Sequence, residues 1–205
     1  MNTEQLDIWT SSFGADYTDR NDQEIPARRK SWERMLSGIK TESILEVGCN
    51  VGWNLTYLSA LGRRGLAGVE PQPYALARAK QRLAQCQLSE GSAFALPSPD
   101  RSFDLVFTSG VLIHIHAADL RRALAEMYRV SRRYILYIEY DAQSEQAIGY
   151  HGESNALWKR DHCAAWLSAY PELRIIKKGH WAASAGYDDC TWCLFEKPEH
   201  AAQTE

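Results

Sequence analysis

A long apolar run is missing from this chain of 205 residues. No stretch approaches the twenty or so apolar residues that a membrane-spanning helix needs. The opening MNTEQLDIW also lacks the charged-then-apolar form of a secretory leader. A basic surplus is missing as well. The formal net charge is −3, so no broad positive field is available to track a phosphate backbone, and a nucleic-acid substrate is disfavoured. The short basic runs at Arg28–Lys30, Arg121–Arg122 and Arg132–Arg133 read as solvated element ends. Cysteine is sparse, odd in number and scattered, at positions 49, 86, 163, 190 and 193. That excludes a disulfide framework and sets the expectation of a cytoplasmic protein. Cys190 and Cys193 form a lone CxxC with no second CxxC or histidine pair to complete a zinc site, so no metal is expected. The alternation through 190–196 reads as a strand, which places these two cysteines on opposite faces. Repeats, low-complexity tracts and long linkers are absent too, and the length suits one domain with a full core.

The chain does contain an apolar run, Ile44–Val47, that ends in the turn Gly48-Cys-Asn-Val-Gly52, and a second, Ala67–Val69, that ends in Glu70. Nearly continuous apolar runs of this length suit parallel strands covered on both faces. Glycine in the turn permits backbone angles closed to other residues and lets a ligand approach the main chain. Leu55, Leu58 and Leu61 recur at helical spacing after it and should face a sheet. A carboxylate at residue 70 can accept hydrogen bonds from the paired hydroxyls of a ribose. The turn departs from the dinucleotide fingerprint, because Asn50 stands where the middle glycine would be and Glu46, just ahead of it, would repel a phosphate. Glu46 suits a ligand with an amino group or positive charge instead. Asparagine tolerates left-handed angles, so the turn survives the replacement.

Elsewhere strands alternate with helices. Helices are expected at 4–13 and 24–39, the latter with Trp32, Met35, Leu36 and Ile39 as a core-facing stripe. Strands follow at 44–48, 65–70, near 88–91, 103–108, 133–140, 173–180 and 190–196, separated by helices at 53–61, 73–85, 118–130 and 160–169. Only 182–189 lie between the last two strands, too short for a helical crossover, so these strands must pair antiparallel. The expected architecture is α/β: a Rossmann-like, doubly wound, mostly parallel seven-stranded sheet with a C-terminal antiparallel hairpin. One domain spans 1–205, with a helical cap at 1–40, the core at 41–197 and a tail at 198–205.

The stretch Glu46-Val-Gly-Cys-Asn-Val-Gly52 resembles motif I of the class I methyltransferases, which bind S-adenosylmethionine. Glu70 stands at the place of that superfamily's ribose-binding acid. Gly91-Ser-Ala-Phe94 resembles the segment beside the adenine, with Ser92 where many members have an acid or asparagine. Residues Ser102 to His114 resemble the fourth strand and its loop. The resemblance implies S-adenosyl-L-methionine as cofactor, held by Glu46, Gly48, Cys49, Asn50, Gly52, Glu70, Pro71, Ser92, Ala93, Phe94, Ser109, Gly110 and Val111. The flanks go further. Phe13-Gly-Ala-Asp-Tyr-Thr-Asp-Arg-Asn21, read as a loop between helices, Gly110–Ile115, Glu139-Tyr140, Lys159–Asp161, Tyr170-Pro171 and Asp188–Trp192 together resemble the methylase family associated with pseudaminic acid biosynthesis. This implies a small-molecule acceptor, a sugar or sugar nucleotide, and methyl transfer to a hydroxyl. Another small molecule bearing a carboxylate or amine, or binding without chemistry, stands as the alternative.

Individual residues carry two readings each. Tyr17 lies over the cofactor with Arg20 and Asn21 reaching its carboxylate, or the segment is a capping loop. His114 takes a hydroxyl proton, or packs against cofactor or core. His116 starts a helix. Glu139 accepts a proton or grips a sugar hydroxyl, or is a solvated strand-end acid. Tyr140, His151 and Arg160 line the acceptor site, Arg160 binding a sugar carboxylate or forming a surface ion pair. Asp188 and Asp189 form a turn. Oligomeric state is not legible.

Overall fold

The computed structural model describes residues 3–150 and 153–199. Three helices open it: α1 (Glu4–Thr10), α2 (Ser12–Asn21) and α3 (Ala27–Met35). Next come β1 (Ile44–Val47), α4 (Trp53–Ala60), β2 (Leu66–Glu70), α5 (Pro73–Arg82), β3 (Gln87–Glu90), β4 (Phe103–Ser109), α6 (Ala117–Val130) and β5 (Ser131–Tyr140). The chain closes with β6 (Gln146–Tyr150), β7 (Glu153–Lys159), α7 (His162–Ala169), β8 (Arg174–Trp181) and β9 (Cys190–Glu196).

Seven strands form one sheet in the order β3-β2-β1-β4-β5-β9-β8. The first five run parallel, with Glu46 of β1 level with Gly68 and Phe107. β9 pairs antiparallel with both β5 and β8, as the short connection between the last two strands requires. Every residue of β1 and β2 is buried, which explains their unbroken apolar runs. One face of the sheet packs Ile44, Leu105, Phe107, Leu136 and Leu194 against Trp32, Met35, Leu55 and Leu58. The other packs Leu45, Val47, Val106, Ile135 and Phe195 against Leu120, Leu124, Met127 and Trp166. Cys190 belongs to the first face and Cys193 to the second, as strand alternation demands.

Three expectations need correction. The segment 13–21 is helix α2, not a loop. Ser11 caps it, accepting from the Phe13 N–H at 3.2 Å, and Trp9, Phe13 and Tyr17 bring their rings together across α1 and α2. Gly14 serves close approach, since a Cβ there would lie 1.9 Å from the Trp9 carbonyl oxygen. The helix expected over 24–39 is only Ala27–Met35; Pro26 precedes it, and the left-handed Gly38 (φ 75°) turns the chain soon after its end. Between β5 and α7 lies the hairpin β6–β7, a separate two-stranded sheet that the pattern did not announce. The tail expected at 198–205 falls outside the described residues beyond 199.

The N-terminal cap is fastened to the rest at its polar groups. The Gln72 amide donates to the Trp9 and Ser11 carbonyls at 3.1 and 2.9 Å. Asp22, at the end of α2, takes ion pairs from Arg78 (2.5 Å) and Arg82 (2.8 Å) and a bond from the Trp53 indole N–H (3.0 Å). Trp32 ties α3 to the sheet, lying edge-on to Phe107 with ring centroids 4.7 Å apart.

Candidate active site

The parallel strands β1, β2 and β4 end at one edge, where a crevice between the following loops is a favoured ligand site in open α/β sheets. A cavity of about 280 Å³ lies there, roofed by α1 and α2. The turn after β1 makes its floor. Gly48, Asn50 and Gly52 all adopt left-handed angles (φ 73°, 45° and 83°), so asparagine does take over the conformational task of the middle glycine. Gly52 caps α4 and lies outside the cavity lining; its absent Cβ makes room for Leu83.

Carboxylates from β1 and β2 face this cavity. Glu70 accepts from the Asn50 N–H (2.8 Å) through one oxygen and from the Gln72 N–H (2.9 Å) through the other, which orients it and leaves lone pairs for a ligand. Burial raises its pKa to about 7. Glu46 is also buried. One oxygen accepts from the Asn54 amide at 2.7 Å, and Asn54 in turn accepts from the Trp32 indole N–H at 3.2 Å. The other oxygen has no hydrogen-bond partner. Burial raises the Glu46 pKa to about 8. An orphaned buried carboxylate oxygen is costly in isolation and fits a ligand that brings a positive donor.

Arg28 of α3 is the one arginine or lysine in the described lining. Its Nε–H donates to the Gly186 carbonyl at 2.7 Å and its guanidinium lies over the Tyr187 ring at 4.7 Å. The residues from the β3 end, Ser92, Ala93 and Phe94, and from the β4 end, Ser109, Gly110 and Val111, line the cavity together with Tyr17, Asn21, Cys49 and Pro71. Arg20 does not: it is exposed on α2. The arginine at the site is Arg28, which pairs with a loop 158 residues later and so left no local signal. Gln5 and Trp9 of α1 also line the cavity and were not anticipated, because their helix was not read as part of the site.

His114 is buried in the short 3-10 turn after β4 and lines the cavity. Its Nδ1 lies 2.5 Å from the Ala156 carbonyl oxygen. A carbonyl only accepts, so Nδ1 carries the proton and Nε2 keeps its lone pair. Burial lowers the His114 pKa to about 4. Rings surround it: Trp9 at 4.3 Å, Tyr150 at 5.5 Å and Tyr17 at 6.4 Å. Tyr140 lines the same region and donates to Asp188 at 3.2 Å, so Asp188 faces the cavity rather than merely closing a turn. His116 caps α6, as expected of a helix-start residue.

Two sequence-predicted residues sit behind the wall. Glu139 is fully buried and outside the lining; alternation along β5 turns its side chain beneath the loop after β4, where it accepts from the Val111 (3.1 Å) and Ile113 (3.3 Å) N–H groups. It is not a solvated acid, and it does not line the cavity. Arg160 is buried too, donating to the Leu112 and Ile115 carbonyls (3.4 and 2.8 Å) and pairing with Glu145 at 3.0 Å. It is not a cavity residue. His151 lies outside the described residues.

The donor set suits an adenosyl amino acid: an oriented acid for hydroxyls, an orphaned acid for an ammonium and a guanidinium beside them. The sheet order and the crevice at its carboxyl edge are those of a Rossmann-like methyltransferase fold. Residues 45–134 match the family described as "Methyltransferase domain". An uncharacterized methyltransferase of Schizosaccharomyces pombe is 33% identical over 179 residues, covering 77% of this chain and 63% of that protein. A sterol 24-C-methyltransferase of Pneumocystis carinii is 28% identical over 142 residues, covering 65% and 37% respectively. The chain thus spans less than two thirds of the length of either relative. Among solved structures, the 1,6-didemethyltoxoflavin-N1-methyltransferase of Burkholderia thailandensis, bound to S-adenosylhomocysteine, superposes with a TM-score of 0.74 at 17% identity, covering 96% of this chain and 91% of that one. No helix among the described residues is long and apolar enough to cross a membrane.

Proposed function

We propose that the protein methylates a hydroxyl of a sugar or sugar nucleotide, in the making of bacterial nonulosonic (pseudaminic) acid or a related surface glycan. S-adenosylmethionine supplies an activated methyl group on a positively charged sulfur. Glu70 takes the ribose hydroxyls. Glu46 takes the ammonium of the amino acid tail and Arg28 its carboxylate. Ser92, Ala93 and Phe94 lie along the adenine. His114 takes the proton that the acceptor hydroxyl loses.

The observation that carries the reading is the fixed His114 tautomer, with Nδ1–H held by Ala156 and an unprotonated Nε2 left on a cavity-lining ring. Flat ring faces at Trp9 and Tyr150 suit the C–H face of a sugar. The cavity's charged lining is three carboxylates, Glu46, Glu70 and Asp188, against Arg28 alone among the described residues. That balance favours a hydroxyl acceptor over a carboxylate one. The flanking motifs that resemble the pseudaminic acid methylases support the choice of pathway.

Methyl transfer from labelled donor to a panel of sugars, sugar nucleotides, carboxylates and amines tests the proposal. Turnover confined to carboxylates or amines would overturn it. His114→Ala should lower kcat by about a hundredfold while product binding stays within about twofold.

Glu46 also sets a pH dependence. With its pKa raised to about 8, the carboxyl is mostly protonated at pH 6.5 and must ionise to pair with an ammonium. Affinity for S-adenosylhomocysteine should therefore rise about tenfold from pH 6.5 to 8, read by calorimetry. Ligand-free stability runs the other way. A carboxyl with a raised folded-state pKa stabilises the fold fully only below the unfolded value, and that contribution is lost as pH rises through about 8. An affinity flat across this range would remove the ammonium from Glu46.

A further inference from the structure

Resting on the proposed role of His114, we infer that Glu139 and Arg160 are positioning residues: from behind the cavity wall they fix the backbone of residues 111–115, and through it the direction of the His114 imidazole. The loop after β4 has little regular structure of its own beyond the turn Leu112–His114. A loop of that kind needs outside partners for its backbone groups if it is to hold one conformation. Here the partners come in opposite polarity. The Glu139 carboxylate receives the N–H groups of Val111 and Ile113, and the Arg160 guanidinium supplies the carbonyls of Leu112 and Ile115.

Between them the two side chains satisfy backbone groups on both sides of His114. A third contact, from Ala156 of β7, then orients the ring itself. The two groups reach the loop from different places, Glu139 from the end of β5 and Arg160 from just past the end of β7, so the loop is pinned to the sheet and to the hairpin together. The Arg160 bonds are charge-assisted, among the stronger kind in a protein interior, while burial raises the Glu139 pKa to about 7, so below neutrality its carboxyl accepts mainly as the neutral group. Neither side chain lines the cavity, so neither touches a ligand.

An NMR titration of the imidazoles tests this without any acceptor. The chain has six histidines, and comparison with His114→Asn assigns the signal of interest. The groups facing His114 are the Trp9, Tyr17 and Tyr150 rings and the Ala156 carbonyl, with Glu139 beneath. With the ring held, His114 stays neutral down to pH 5, in keeping with a pKa near 4. In Arg160→Met and in Glu139→Ala the loop slackens, the ring gains access to water, and the titration should move up by a pH unit or more, toward the ordinary histidine value of about 6.5. Arg160→Lys, which still donates to a carbonyl, should keep the wild-type titration.

If Arg160→Met does not fold, Glu139→Ala decides. A His114 that stays neutral to pH 5 in a folded Glu139→Ala or Arg160→Met variant, whatever the change in melting temperature, overturns the inference. Failure of the wild-type chain to bind S-adenosylhomocysteine would instead strike the proposed function, and leaves the titration free to judge the brace.

Discussion

Glu70→Ala should weaken binding of S-adenosylhomocysteine by about a thousandfold, measured by calorimetry on the folded variant. Two hydroxyls bonded to a buried carboxylate contribute roughly 1.5–3 kcal/mol each, and 1.4 kcal/mol is a factor of ten. The same carboxylate also holds the Asn50 and Gln72 N–H groups, so its loss frees the turn under the ligand as well as the ligand's own contacts. Glu70→Gln separates the two effects. It keeps the volume and one acceptor oxygen, and should lose only about tenfold. Wild-type affinity in the alanine variant would mean that the ribose lies elsewhere and that the site has been read from the wrong edge.

Trp32→Ala should cost about 4 kcal/mol of folding stability, in the range for emptying a buried aromatic site. Trp32 has no exposed surface and packs edge-on to Phe107 where α3 meets the sheet. Its indole N–H is the first link of a chain through Asn54 to Glu46. Chemical denaturation measures the stability loss. Trp32→Phe keeps most of the packing and removes the N–H, so it should cost less but still free Asn54, and with it the orientation of Glu46. A loss below about 1 kcal/mol for the alanine variant would mean that the cavity closes by collapse of its neighbours.

The parallel core was legible because a strand covered on both faces has nowhere to place a polar side chain; Ile44–Val47 and Leu66–Glu70 are apolar until the residue that faces the ligand. The turn at Asn50 was legible because few residues accept its angles. Other features depend on direction or distance that spacing does not encode. Glu139 was placed at the correct strand end, but the period of two decides between the cavity and the underside of a loop, and neighbouring apolar residues gave no hint of which. Arg28 sits in a basic run that resembles a solvated helix face; its partners Gly186 and Tyr187 belong to the far end of the chain. Helix α2 was read as a loop from its mix of an aromatic, an arginine and an asparagine; within it Gly14 lets α1 pass close by. The β6–β7 hairpin is short and only partly buried along β6, so it lacks the apolar alternation that marks a half-covered strand.

The cap closes over the cavity with Trp9 and Tyr17 in its roof, and its farther end is bolted down by Asp22 between two arginines and an indole. A ligand in the cavity lies beneath α2. With the proposed cofactor bound there, its exchange is coupled to how firmly an ionic fastening on α5 holds the cap, at a place remote from any atom that takes part in the chemistry.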